Sequence, residues 1–173
     1  MTETETRAPI RLARWTVTSG SATQSRGAVV LEAGDGHWEA KAEGNGAVDA
    51  LFRAVDAALA EILSDHPRLI AYDVHALGEG PDAEGAVTVR IAPPAAAAGA
   101  RTSGRFTGSA QGTNIIAASI EAYVQAINRM LGEASWAGAT DAAARKRPRR
   151  SSGRRAEFDR EQAEHDTTAW FER

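Results

Sequence analysis

The chain has 173 residues, 43% hydrophobic and 25% charged, a balance that fits one soluble globular domain with a real core. A formal net charge of -3 excludes a global pull toward nucleic acid or lipid. The absence of cysteine excludes disulfides, thiol catalysis and cysteine-ligated zinc, and no apolar run is long enough to cross a membrane. Residues 1–9 read as a flexible leader, acidic and rich in threonine, without the apolar stretch of a signal peptide; the expected location is cytoplasmic. Residues 11–19 form a first strand anchored by Leu12, Trp15 and Val17, and a turn over 20–25 leads to a second strand at 26–33. Gly34-Asp35-Gly36 is a tight hairpin turn into a third strand over 37–43, with Trp38, Ala40 and Ala42 on one face. A helical run follows to Leu63, burying Val48, Leu51, Phe52, Val55, Leu59, Ile62 and Leu63 and leaving Asp49, Arg53, Asp56 and Glu61 largely on the other side.

After Pro67 a strand over 69–77, a glycine-rich loop over 78–85 and a strongly alternating strand over 86–91 follow. Residues 93–103 read as a long flexible connection, and 104–110 as a last strand. A second helix runs to Leu131, buries Ile116, Ile120, Tyr123, Val124, Ile127 and Leu131, is capped by Thr113 or Asn114, and ends at Gly132. Beyond it, residues 141–155 carry seven basic residues and one acidic, and 156–173 carry two basic and six acidic. Such blocks mark 133–173 as a charged tail outside the core. The basic run over 145–155 has no interleaved aromatic residue, which argues against stacking on nucleic-acid bases.

The two helical units repeat. Placing Gly44 on Gly112, an offset of 112 − 44 = 68, brings Trp38 onto Phe106, Val48 onto Ile116, Val55 onto Tyr123, Leu59 onto Ile127 and Leu63 onto Leu131. Apolar meets apolar at helical spacing, and a glycine stands at each strand-to-helix turn. The expected fold is therefore α+β: two pseudo-symmetric βββα units, each a small antiparallel sheet with one amphipathic helix. Unit one spans 10–66 and unit two 67–132.

Three motifs resemble a known family. Gly44-Asn45-Gly46-Ala47-Val48-Asp49-Ala50 is similar to the Gly-x-Gly-Pro-Val-Asp-Ala motif of the C-terminal regulatory domain of 2-isopropylmalate synthase, a domain shared with citramalate synthase. Residues 80–89 match its Gly-x-Asp-Ala-x-Gly-x-Val-x-Val segment, and residues 113–128 its last helix. The resemblance covers about residues 10–131 and implies a homodimeric regulatory domain binding a small effector such as leucine or isoleucine near the dimer interface. It places the effector by the glycine turns: Gly44, Asn45, Gly46, Ala47 and Asp49; Gly80, Asp82 and Ala83; Gly112, Thr113, Asn114, Ile115 and Ala118. In the family a metal-holding barrel performs the condensation; 173 residues leave no room for its roughly 250. A stand-alone domain serving a separate catalytic subunit is thus the expectation. Ala47 departs from the family's proline and Asn114 from its aspartate; the latter change removes a charge that can meet an effector's ammonium group.

The residues themselves offer little catalytic chemistry. Tyr72, Asp73 and His75 lie on one strand, and by period two Asp73 and His75 share a face, an arrangement open to acid–base work but commoner as a solvated strand face. His37, His66, His75 and His165 have no metal-ligand spacing, so no metal is expected. No glycine loop matches a phosphate or dinucleotide pattern, and no cofactor is expected. A repurposed enzyme with its active site in the former effector pocket, and a structural adaptor that has lost its ligand, are the alternatives to the regulatory reading.

Overall fold

The computed structural model describes residues 8–63, 65–94 and 104–132. Most of the 1–9 leader, the greater part of the 93–103 connection and the 133–173 tail with its basic run lie outside the described residues. The element order is β1 (Arg11–Gly20), β2 (Thr23–Ala33), β3 (Gly36–Gly44), α1 (Ala47–Ala58), β4 (Arg68–Ala76), β5 (Gly85–Ala92), β6 (Phe106–Gly112) and α2 (Ile115–Leu131). Two units of three strands and one helix are present, as the repeat predicts. Each sheet is antiparallel, in the order β1-β2-β3 and β4-β5-β6.

Alternation sets the faces. In β5, Val87, Val89 and Ile91 are fully buried under α2, while Thr88 and Arg90 point to the opposite side. In unit one Val29 and Leu31 play the same part under α1. Both helices feed one continuous core, in which Leu51, Val55, Ile120 and Ile127 are completely enclosed. Each such side chain contributes roughly 1.5–3 kcal/mol through burial. The helices approach their sheets closely. At Gly108 on β6, an added Cβ would lie 1.8 Å from the Ala122 carbonyl oxygen of α2, so no side chain fits there.

The units are also tied by polar bonds. Asn128 of α2 accepts from the Ile10 N–H at 2.8 Å and donates to its carbonyl at 2.6 Å, matching one backbone residue from 118 positions away.

The structure corrects several expectations. Helix α1 ends at Ala58 rather than Leu63; Leu59 is its C-cap, and Ala60 N–H turns back to the Ala57 carbonyl at 3.4 Å, closing a tighter turn of 3-10 type. Leu59, Ile62 and Leu63 are still buried, because the turn folds them back onto the core. The turn predicted over 20–25 shrinks to two residues, since Gly20 already pairs with Thr23, and Ser25 sits inside β2 bonded to Ser19 Oγ at 2.8 Å. Val48, Ile116 and Leu131 are half-buried at the helix ends rather than enclosed. Asp56 lies at the junction of the helices, not on the outer side of α1.

Candidate functional site

The two strand-to-helix turns are built differently. In the first, a Cβ on Gly44 would lie 2.4 Å from Ala50 N–H nitrogen, so glycine is required by close approach. Gly46 stands at the N-cap and contributes no side chain; instead Asp49 accepts the Asn45 N–H at 2.9 Å and the Arg53 Nε at 3.0 Å. That backbone bond holds the Asp49 carboxyl below the usual carboxylate range, against the effect of its partial burial, with Arg53 adding to it. In the second turn, a Cβ on Gly112 would come no closer than 3.9 Å to its nearest neighbour, the Asn114 nitrogen, and Asn114 is the cap: its Oδ1 accepts from Ile116 N–H at 3.1 Å and Ala117 N–H at 3.2 Å. Thr113, the other candidate, is not the cap.

The loop between β4 and β5 meets the second turn. Ala83 N–H bonds to the Gly80 carbonyl and Leu77 N–H to the Glu84 carbonyl, closing a compact turn. Ile115 then packs directly over Gly85, where a Cβ would come within 2.0 Å of its Cδ1. So Gly80, Asp82 and Ala83 and the group Gly112, Thr113, Asn114 and Ile115 frame one end of the second sheet, with Ala118 buried one turn further along α2. No hydrogen bond or ion pair among the described residues links these to the turn at Gly44, Asn45, Gly46, Ala47 and Asp49.

Strand β4 is the unusual element. Leu69, Tyr72 and Val74 pair directly with Ile91, Val89 and Val87, so they share the helix-facing side of the sheet. Yet they are 50%, 38% and 42% exposed, while their partners are at zero. Helix α2 lies over β6 and β5 and stops short of β4; in unit one, β1 meets both helices. Ile70 is the extra residue of a bulge in β4. Tyr72 leans toward the helices: it meets Phe52 edge-on at 6.1 Å, and its hydroxyl lies 2.8 Å from Ser119 Oγ. Ser119 spends its only proton on the Ile115 carbonyl, so Tyr72 is the donor in that bond. Asp73 and His75 project from the opposite, outer face, both exposed, opposite Thr88 and Ala86. The strand thus separates Tyr72 from the other two candidates, and Asp73 and His75 stand on an exposed face of the sheet.

At the other end of β4 the inner face runs into a cleft of about 710 Å³ between α1 and residues 65–69, with Leu69, Phe52 and Tyr123 among its walls. Phe52 stacks on Tyr123 with centroids 4.3 Å apart. The Tyr123 hydroxyl donates to Asp56 Oδ1 at 2.6 Å. Burial pushes the Asp56 carboxyl up to about 6, against the Tyr123 bond and the charges of His66 and Arg53. Burial also raises the Tyr123 hydroxyl well above its ordinary value, with the Asp56 charge adding to it. Sequence periodicity missed this pair. The one available signal is general: a tyrosine on the buried stripe of α2 needs a polar partner, and a carboxylate one turn past Phe52 is a candidate.

Among the described residues, no group of three His, Asp or Glu side chains could hold a metal ion, and no helix is long and apolar enough to cross a membrane.

Comparison with known proteins agrees with the fold. The family model described as the LeuA allosteric (dimerisation) domain matches residues 1–131. The chain is 37% identical over 123 residues to the 2-isopropylmalate synthase of Salinibacter ruber (strain M8), covering 70% of this chain and 20% of that protein. It is 34% identical over 137 residues to the same-named protein of Methylobacterium nodulans, covering 78% and 24%. With that of Nitrosococcus oceani it shares 37% over 94 residues, covering 54% and 16%. The chain thus spans about a fifth of the length of these relatives, and what it matches is the allosteric portion rather than the catalytic barrel. A family model that spans most of the chain, on a structure of two βββα units, places the chain in the LeuA allosteric (dimerisation) domain family.

Proposed function

We propose that this chain is a regulatory domain that pairs with a second copy of itself and binds a small effector such as a branched-chain amino acid, acting on a synthase catalytic unit. Residues 10–132 are the regulatory part in this reading, and its two βββα units are a pseudo-symmetric duplication. The observation that carries the reading is the open inner face of β4 in a member of an allosteric and dimerisation family. Apolar side chains on the helix side of a sheet belong under a cover, and no element of the described chain supplies it. A second copy covers that face, and the effector sits beside it, on the surface framed by β4, the 77–84 loop and the glycine turns. Leucine is the first candidate because the relatives are 2-isopropylmalate synthases.

The exposed outer-face setting of Asp73 and His75 supports regulation over catalysis, since acid–base groups work inside a shielded site. Two measurements test the reading. Light scattering at two concentrations is expected to give the mass of a dimer. A thermal-shift titration with leucine, isoleucine, valine and the corresponding 2-keto acids is expected to show a saturable rise with one amino acid, because a ligand of the folded state raises its stability by mass action. A monomer with no response to any of these compounds overturns both halves of the proposal.

A further inference from the structure

Asp56 is a carboxyl that the fold holds where its two helices meet. Its Oδ1 accepts the Tyr123 hydroxyl of α2 at 2.6 Å, and the Tyr123 ring stacks on Phe52 of α1 with centroids 4.3 Å apart. Phe52 in turn meets Tyr72 of β4 edge-on at 6.1 Å. The charged groups around Asp56 come from three elements. Helix α1 supplies Asp49 and Arg53, α2 supplies Tyr123, and the segment leading into β4 supplies Asp65, His66 and Arg68. Asp49 is tied to Arg53 at 3.0 Å, and Asp65 to His66 at 2.9 Å. Burial is the largest influence on the Asp56 carboxyl and favours its protonated form; the Tyr123 bond and the charges of His66 and Arg53 oppose it without outweighing it.

Leu69 joins this junction to the open face. It lines the cleft together with Asp56, Phe52 and Tyr123, and it is half-exposed on the inner side of β4, opposite the fully buried Ile91. A cover laid over Leu69 therefore also closes that end of the cleft. In the reading above the cover is a second copy. Closing the cleft takes further water from a carboxyl whose charge burial already disfavours, so the carboxyl holds its proton more tightly in the pair than in the single chain. A group that binds protons more tightly in the associated state strengthens association as pH falls.

We propose that self-association of this domain is proton-linked through Asp56: two copies hold together more tightly with the Asp56 carboxyl protonated and part more readily when it is charged. The inference rests on the second-copy half of the reading above and is independent of the effector. Its pH window follows from the sign. The single chain titrates this carboxyl at about 6 and the pair titrates it higher. The added affinity is complete below about 6 and is lost as pH rises through the value in the pair.

The test is the dissociation constant of the pair, read by fluorescence-detected sedimentation of the full chain at fixed ionic strength from pH 5 to pH 8, with no ligand added. The proteins are the wild type and its Asp56→Asn, Tyr123→Phe and His66→Gln variants. Acidification also removes negative charge from the whole surface, and Asp56→Asn reads that general effect alone. Relative to Asp56→Asn, the wild-type constant is expected to fall by about tenfold or more between pH 8 and pH 5, since two carboxyls titrate per pair. Tyr123→Phe removes the donor that favours the carboxylate, so its transition is expected to move to higher pH by about one unit. His66→Gln is expected to keep the tightening, which separates the carboxyl from the nearby imidazole. The same pH dependence in the wild type and in Asp56→Asn, or a loss of it in His66→Gln, overturns the proposal and leaves the second copy in place. If Asp56→Asn does not fold, Tyr123→Phe decides: a transition that stays put or moves to lower pH overturns the proposal. A monomer at every pH overturns both the proposal and the second-copy reading.

Discussion

Replacing Asp56 by asparagine isolates the energetic cost of burying its charge. In the unfolded chain its carboxyl titrates near 3.8, and in the folded protein at about 6. A folded value raised above the unfolded one means that the folded state binds the proton more tightly. The associated stability is therefore fully present below pH 3.8 and is lost as pH rises through about 6. The shift from 3.8 to about 6 corresponds to about 3 kcal/mol at 1.36 kcal/mol per unit. Asp56 is half-buried and partly screened, so about 2 kcal/mol is the working figure. Asparagine keeps an acceptor for the Tyr123 hydroxyl and carries no charge at any pH. Urea unfolding of both proteins at fixed concentration, from pH 4 to pH 8, then has a defined outcome. The two are expected to be equal within about 0.5 kcal/mol at pH 4, with the variant more stable by about 2 kcal/mol at pH 8. A difference that is constant across that range, or that favours the wild type as pH rises, refutes the assignment of a raised, buried carboxyl.

Three further substitutions test the frame around the site. Gly108→Ala forces a Cβ toward the Ala122 carbonyl of α2 and is expected to cost roughly 3 kcal/mol in urea unfolding, because the obstacle is backbone and cannot rotate away. Asn128→Ala removes both bonds to Ile10 and is expected to cost about 2 kcal/mol, with hydrogen exchange at the Ile10 amide rising more than elsewhere. Val74→Lys places a charge on the open inner face of β4; by sedimentation it is expected to weaken self-association by about a hundredfold while the monomer keeps its fold, since Val74 is already 42% exposed there.

Much of the fold is legible in the sequence, for reasons that operate locally. The alternation of Val87, Val89 and Ile91 fixes a strand and its buried face within six residues. Asn114 before an apolar run marks a helix start through a bond to its own first turn. The offset repeat reports two similar units because each buries the same kind of stripe. The site depends on what lies across space, where local pattern is silent. Asp56 looks like a solvent-facing residue of α1 until Tyr123, 67 positions away, is laid beside it. The strand β4 reads as an ordinary half-buried strand, and nothing in its alternation tells that α2 ends short of it. Even the two matched glycines differ: Gly44 is pressed against Ala50, while Gly112 has room. Sequence similarity between the turns does not carry over to how each is packed.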